Sequence, residues 1–121
     1  MSYASTKGYT AEHAVVGWYL SHGLYVSRPR TTSHSDTDCG DITGVPWVTS
    51  VKNHARIKLA DAVDEMSEMV RRSEWETGFV VHKRLRKGKP GDWYVTLTLD
   101  LMDPFIHSYL ATTKTQRDMR R

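Results

Sequence analysis

The sequence predicts an α/β fold: a single domain in which a mixed β-sheet is flanked by helices. Two observations carry this reading. Apolar residues recur at helical spacing in two stretches, Val15, Val16, Tyr19 and Leu20, then Leu59, Ala62, Val63, Met66 and Val70. Around them lie short runs rich in β-formers, among them Phe79-Val80-Val81 and residues 93–97. A length of 121 residues fits one compact domain with a core of modest size.

Taken in order, Thr10 is the expected N-cap of a helix over 11–22, ended by Gly23. Residues 24–28 read as a strand stopped by Pro29, and the Ser/Thr/Asp-rich stretch 31–38 reads as a loop. Two short strands, 40–43 and 47–52, flank a turn at Gly44-Val45-Pro46. The period then switches to a helix over 56–72. A strand at 78–84, a turn at 88–91 and a strand at 93–97 follow, and a last helix over 99–110 is interrupted near Pro104. The expected order is α-β-β-β-α-β-β-α. The domain spans 1–113, and 114–121 is a basic flexible tail.

Composition narrows the function classes. An apolar content of 39% and a charged content of 26% describe a soluble globular chain. No apolar run approaches the ~18–20 residues needed to span a bilayer. Residues 1–9 carry no hydrophobic signal region, so cytoplasmic residence is expected. The one cysteine, Cys39, rules out an internal disulfide and a cysteine-type zinc cluster. None of the six histidines pairs at ligand spacing on one element. Asp36, Asp38 and Asp41 lack the glycine and terminal glutamate of a calcium loop. There is no phosphate-cradling glycine loop and no serine-hydrolase elbow. Net charge is only +3, but basic residues cluster at 82–89 and again at Lys114, Arg117, Arg120 and Arg121. Such clusters suit phosphate binding, or are solvated surface. The four tryptophans, Trp18, Trp47, Trp75 and Trp93, are expected in the core or at a dimer contact, with stacking on unpaired bases as the alternative for an exposed one.

One constellation carries chemistry. Alternation along 47–52 puts Ser50 and Lys52 on one face, with Trp47, Thr49 and Val51 on the other. A turn centred on Val45 and Pro46 sets Asp41 opposite Ser50 in an antiparallel pair. An acid and an amine thus converge on one hairpin surface. Phosphodiester hydrolysis needs an activated water and charge stabilisation; a hard divalent ion supplies both and takes carboxylate ligands. Asp41 suits the ion, and Lys52 suits the water or the developing charge. The alternative is an ordinary surface ion pair. Glu12 flanks the apolar face of the first helix and is a third candidate, or an acid favoured there by the helix dipole. His54, Arg56, Lys83, Arg84, Arg86 and Lys87 are candidate DNA contacts. Lys83 shares its face with Phe79 and Val81, so it is expected to reach toward the site.

At these residues the sequence resembles the PD-(D/E)XK nuclease superfamily, and within it small phage or archaeal-type Holliday-junction resolvases. The matching features are Glu12 in the first helix, Gly40-Asp41-Ile42, Ser50-Val51-Lys52-Asn53, the amphipathic helix that follows, and Val80-Val81-His82-Lys83-Arg84. They span roughly residues 8–110. The resemblance implies a restriction-endonuclease-like α-β-β-β-α-β core and Mg²⁺-dependent cutting of DNA, with Mn²⁺ as an alternative ion. It implies metal ligation by Glu12, Asp41 and the Val51 carbonyl, with Lys52 as the catalytic lysine. It also implies a four-way junction as substrate, a homodimer, and residence in the host cytoplasm for a phage-encoded chain. The family's acid two residues before the lysine is here Ser50. Either Glu12 and Asp41 suffice, or an acid of the next helix replaces it, Glu65 ahead of Asp61 and Glu68, or the chain binds DNA without cutting it.

Overall fold

The computed structural model describes residues 3–29 and 40–119. The elements run α1 (Tyr3–Ser21), β1 (Val48–Lys52), α2 (Leu59–Arg72), β2 (Gly78–His82), a 3₁₀ turn (Pro90–Asp92), β3 (Tyr94–Thr96) and α3 (Leu99–Met119). The strands form one sheet in the order β1-β2-β3. β1 and β2 are parallel, with Val48 beside Gly78 and Lys52 beside His82. β2 and β3 are antiparallel, with His82 beside Tyr94. The chain is thus a small single-domain α/β protein with a mixed three-stranded sheet and, among the described residues, three α-helices. The expected loop at 31–38, with Cys39, lies outside the described residues, as do Arg120 and Arg121.

Each face of the sheet carries one helix. Ala11, Val15 and Tyr19, spaced four apart on α1, pack on Val51 and Val81 with Val26, Ile42, Val45 and Trp93. Ala62, Met66 and Val70, spaced alike on α2, pack on Val48 and Val80 from the other side. Alternation therefore assigns Thr49, Val51, Phe79 and Val81 to the α1 face, and Val48, Ser50, Lys52, Val80 and His82 to the α2 face. β1 and β2 lie close where Gly78 faces Val48. A Cβ on Gly78 would sit 2.7 Å from the Val48 Cβ. Backbone bonds extend the ladder by one residue at each end: Val48 N–H to the Thr77 carbonyl, and Lys83 N–H to the Lys52 carbonyl, each 3.0 Å.

Several boundaries differ from the sequence expectation, each for a physical reason. α1 starts at Tyr3, so Thr10 is interior to it. An interior threonine costs only ~0.7 kcal/mol or less relative to alanine and does not stop a running helix. Its end is as expected: Gly23, at φ 84, lets its own N–H reach the Leu20 carbonyl and the Leu24 N–H reach the Tyr19 carbonyl, both 3.1 Å. The strands expected at 24–28 and 40–43 shrink to isolated bridges, Ser27 with Thr43 and Ile42 with Thr49. Pro29 cannot donate to a longer ladder, and the positive φ of Gly40 and Gly44 bends the second segment. α2 begins at Leu59 rather than 56. α3 is not interrupted at Pro104 and runs on to Met119, so Lys114 and Arg117 are helical. Thr98 caps its start, its Oγ1 accepting from the Leu101 N–H at 3.3 Å. Pro104 lies early in the helix, and the residue whose carbonyl would have accepted its missing N–H, Asp100, is exposed.

Candidate active site

The site grows from the outer edge of β1. Gly40 adopts φ 90, and a Cβ there would lie 2.8 Å from the Thr49 carbonyl oxygen, so only glycine lets the chain approach β1 so closely. The next residue, Asp41, is clipped to the strand twice. Its N–H donates to the Thr49 carbonyl at 2.9 Å, and its Oδ2 accepts from the Val51 N–H at 2.6 Å. In an extended strand a residue's N–H and C=O point to the same edge. The Val51 carbonyl therefore lies on the edge that holds the Asp41 carboxylate. Two hard oxygen donors on one edge fit a magnesium-class ion, which takes one or two carboxylates and keeps several waters. Among the described residues, no three acidic, histidine or cysteine side chains gather as a metal cluster.

Lys52, one residue on, points to the α2 face, and its Nζ lies 3.4 Å from Glu65 Oε1. The structure thus brings together the lysine and the acid 13 residues later. Glu65 meets Lys52, whereas Glu12 meets Arg28, Oε2 to Nε at 2.5 Å. Nothing in the sequence spacing of Arg28 marks it as a partner of the first helix. Ser50 is 1% exposed, and its Oγ has no hydrogen-bond partner. A carboxylate at that depth would be stripped of water at much greater cost than a hydroxyl. Glu68 is engaged by Arg71 and Arg72, away from Lys52.

Because β1 and β2 are parallel and end level, the loops that follow them emerge side by side at the carboxyl end of the sheet, where α/β folds place ligands. There, Lys52, His54, Arg56, Lys58, Asp61 and Glu65 line a recess of about 280 Å³. His54 also borders a broader groove of about 580 Å³, with Asn53, Lys83, Arg84, Arg86 and Tyr94. Five of the six expected DNA contacts thus line one recess or the other, and Lys87 is exposed beside them. Lys83 Nζ lies 5.8 Å from the Trp93 ring centroid, so its charge rests on an aromatic face of the α1 side rather than reaching Asp41. The Arg84 guanidinium lies 4.6 Å from the Tyr94 ring centroid, and its Nη1 donates to the Asp92 carbonyl at 3.1 Å. Tyr94 reads from sequence only as a β-former, so its place in the groove was not legible.

Two neighbours have displaced titrations. Burial lowers the His82 pKa below its ordinary 6.5, and its Nε2 meets Thr96 Oγ1 at 2.8 Å. Burial raises the Tyr19 pKa above 10.0, against bonds from Thr49 and Trp47 that lower it. Tyr19, Thr49 and Trp47 form a structural chain of bonds of 2.9 and 3.0 Å under the sheet. Of the tryptophans, Trp93 is buried in the α1-side core, Trp47 and Trp75 pack on the two cores, and Trp18 is exposed with His22 stacked on it. No helix among the described residues is long and apolar enough to cross a membrane. No protein family model, curated protein or solved structure matches the chain.

Proposed function

We propose that the chain is a divalent-metal-dependent DNA endonuclease that cuts branched DNA, a four-way-junction resolvase acting as a homodimer. The observation that carries this reading is the Asp41 carboxylate bonded to the Val51 N–H, one residue before Lys52, whose side chain lines the basic recess that adjoins the groove after β1 and β2. The Asp41 carboxylate and the Val51 carbonyl would hold Mg²⁺ or Mn²⁺, which when bound supplies an activated water and offsets charge at the scissile phosphate. Lys52 brings a positive charge to the phosphate oxygens as they gain charge. Glu65 is a positioning residue that acts through Lys52, holding its ammonium beside β1. His54, Arg56, Arg84 and Arg86 bind backbone phosphates along the groove and the adjoining recess, and this grip weakens with salt.

The test is cleavage of a labelled four-way junction in Mg²⁺, in Mn²⁺ and in EDTA. The native chain cuts only with metal. Asp41→Asn and Lys52→Ala each cut at least ~100-fold more slowly, the scale for losing one electrostatic catalytic group. If both variants cut like the native chain, the site is misassigned.

A second reading rests on Ser50, buried with an unpartnered Oγ at the position where the resembled family carries an acid. In that reading the chain grips DNA with the same groove and does not cut it. Salt-sensitive junction binding with no cleavage in either metal selects it.

A further inference from the structure

We infer that Leu85 is an apolar wedge that enters the opened base stack of branched DNA held in the basic groove. The inference rests on the DNA-binding half of the proposed function and not on cutting.

Leu85 is 80% exposed and stands between Arg84 and Arg86, with Lys87 following. A single exposed leucine is ordinary on a protein surface. Here three further facts apply. First, Leu85 borders the groove of about 580 Å³ together with the groove's cations and Tyr94. Second, the turn that carries it is closed by Lys87 N–H to the Arg84 carbonyl at 3.1 Å, with Arg86 at φ 63. Arg86 is the one non-glycine residue at positive φ among the described residues. A side chain in that conformation is strained and persists where its surroundings hold it. Third, the surroundings do so. Trp93 Nε1 donates to the Lys87 carbonyl at 2.7 Å, and Arg84 is fixed by the Asp92 carbonyl and the Tyr94 ring. The turn is thus braced at its base while its apolar tip is left in water.

A continuous duplex offers such a tip little, because its stacked bases are closed to an apolar side chain. At a branch point the stack is already interrupted, so the cost of parting two bases is reduced. Arg84 and Arg86 meet phosphates on either side, and Leu85 meets the exposed base face between them. The surface therefore favours an interrupted duplex over a continuous one before any bond is cut.

The experiment measures binding in EDTA, so that cutting plays no part. Affinities for a four-way junction and for a duplex of equal length are compared for the native chain, Leu85→Ala and Leu85→Met. A 2-aminopurine base beside the branch reports unstacking by its emission. The native chain prefers the junction at least 10-fold and raises the emission. Leu85→Ala keeps duplex affinity within 2-fold, loses the preference and leaves the emission flat, while Leu85→Met retains both. An unchanged junction-to-duplex ratio in Leu85→Ala overturns the wedge and leaves the endonuclease reading standing. No DNA binding by the native chain at low salt overturns both.

Discussion

His82 illustrates how one side chain ties the sheet to solution conditions. It ends β2 beside Lys52, and its ring is held by Thr96 while burial disfavours its charged form. Its folded pKa is depressed below 6.5, so between the two values the unfolded chain binds more protons than the folded one. Stability from this group is therefore full above pH 6.5 and is lost as pH falls through the folded pKa. Urea midpoints measured from pH 8 to pH 5 should fall more steeply for the native chain than for His82→Gln. Equal slopes would remove His82 as the cause. At this scale the sequence exposed the site unevenly. Strand alternation places Lys52 and Ser50 on one face, as observed, whereas Glu65, expected from sequence as a substitute acid for position 50, is found paired with Lys52. Ile42 pairs antiparallel with Thr49, the register that a turn centred on Val45 and Pro46 requires. The Glu12–Arg28 pair was invisible, because it joins a helix to an irregular segment and no local period relates them.

Among the elements, the segment 40–47 depends most on backbone freedom. Gly44 sits at φ 114, and a Cβ there would press into the Tyr25 carbonyl oxygen and lie 2.9 Å from the Val26 Cα. Gly44→Ala should cost about 1–3 kcal/mol from the backbone conformation alone, and more from the contact. Gly23→Ala is the control: its φ is 84, but nothing lies within 4 Å of the added carbon. Denaturant titration should rank Gly44→Ala well below Gly23→Ala in stability, and the reverse order would refute this account. The same segment explains where strand expectations failed. β-propensity and alternation mark 24–28 and 40–43 as strands, but pairing needs a run of donors facing acceptors. Pro29 removes a donor, while Gly40 and Gly44 bend the chain after one or two bonds. Helix expectations fared better where the apolar stripe was deep. α2 buries Ala62, Met66 and Val70, and its end at Arg72 matches the expected 72. α3 buries none of its residues, and its continuation past 110 left no hydrophobic period to read.

That unburied helix bears on the molecule as a whole. The alternation of periods 3.6 and 2 made a sheet between two helices legible, because each core is a stripe of regularly spaced side chains. What covers α3 was not legible; among the described residues, Leu101 and Phe105 tie it to the domain, through the α2-side core and through Trp47 and Phe79. Helices without tertiary support are marginal in water, and α3 has 21 residues. Leu99, Met102, Ile106 and Tyr109 follow one another at spacings of three, four and three residues, and all four are exposed. That is the spacing of a two-helix seam. Asp100 and Asp103 lie near its start, and Lys114 and Arg117 near its end. An antiparallel second copy of α3 sets acids against bases, whereas a parallel copy sets like against like. The homodimer proposed for junction cutting is therefore expected to form through antiparallel α3 helices, at the end of the sheet opposite the basic groove, as the bond between Thr77 and Leu101 indicates. Sedimentation equilibrium should show a dimer that Ile106→Glu converts to monomer while the sheet stays folded by circular dichroism. Lys114→Glu should weaken the dimer, and adding Asp103→Lys to it should restore association. A native chain that stays monomeric at ~100 µM, far above a ~1 µM Kd, would refute the α3 interface.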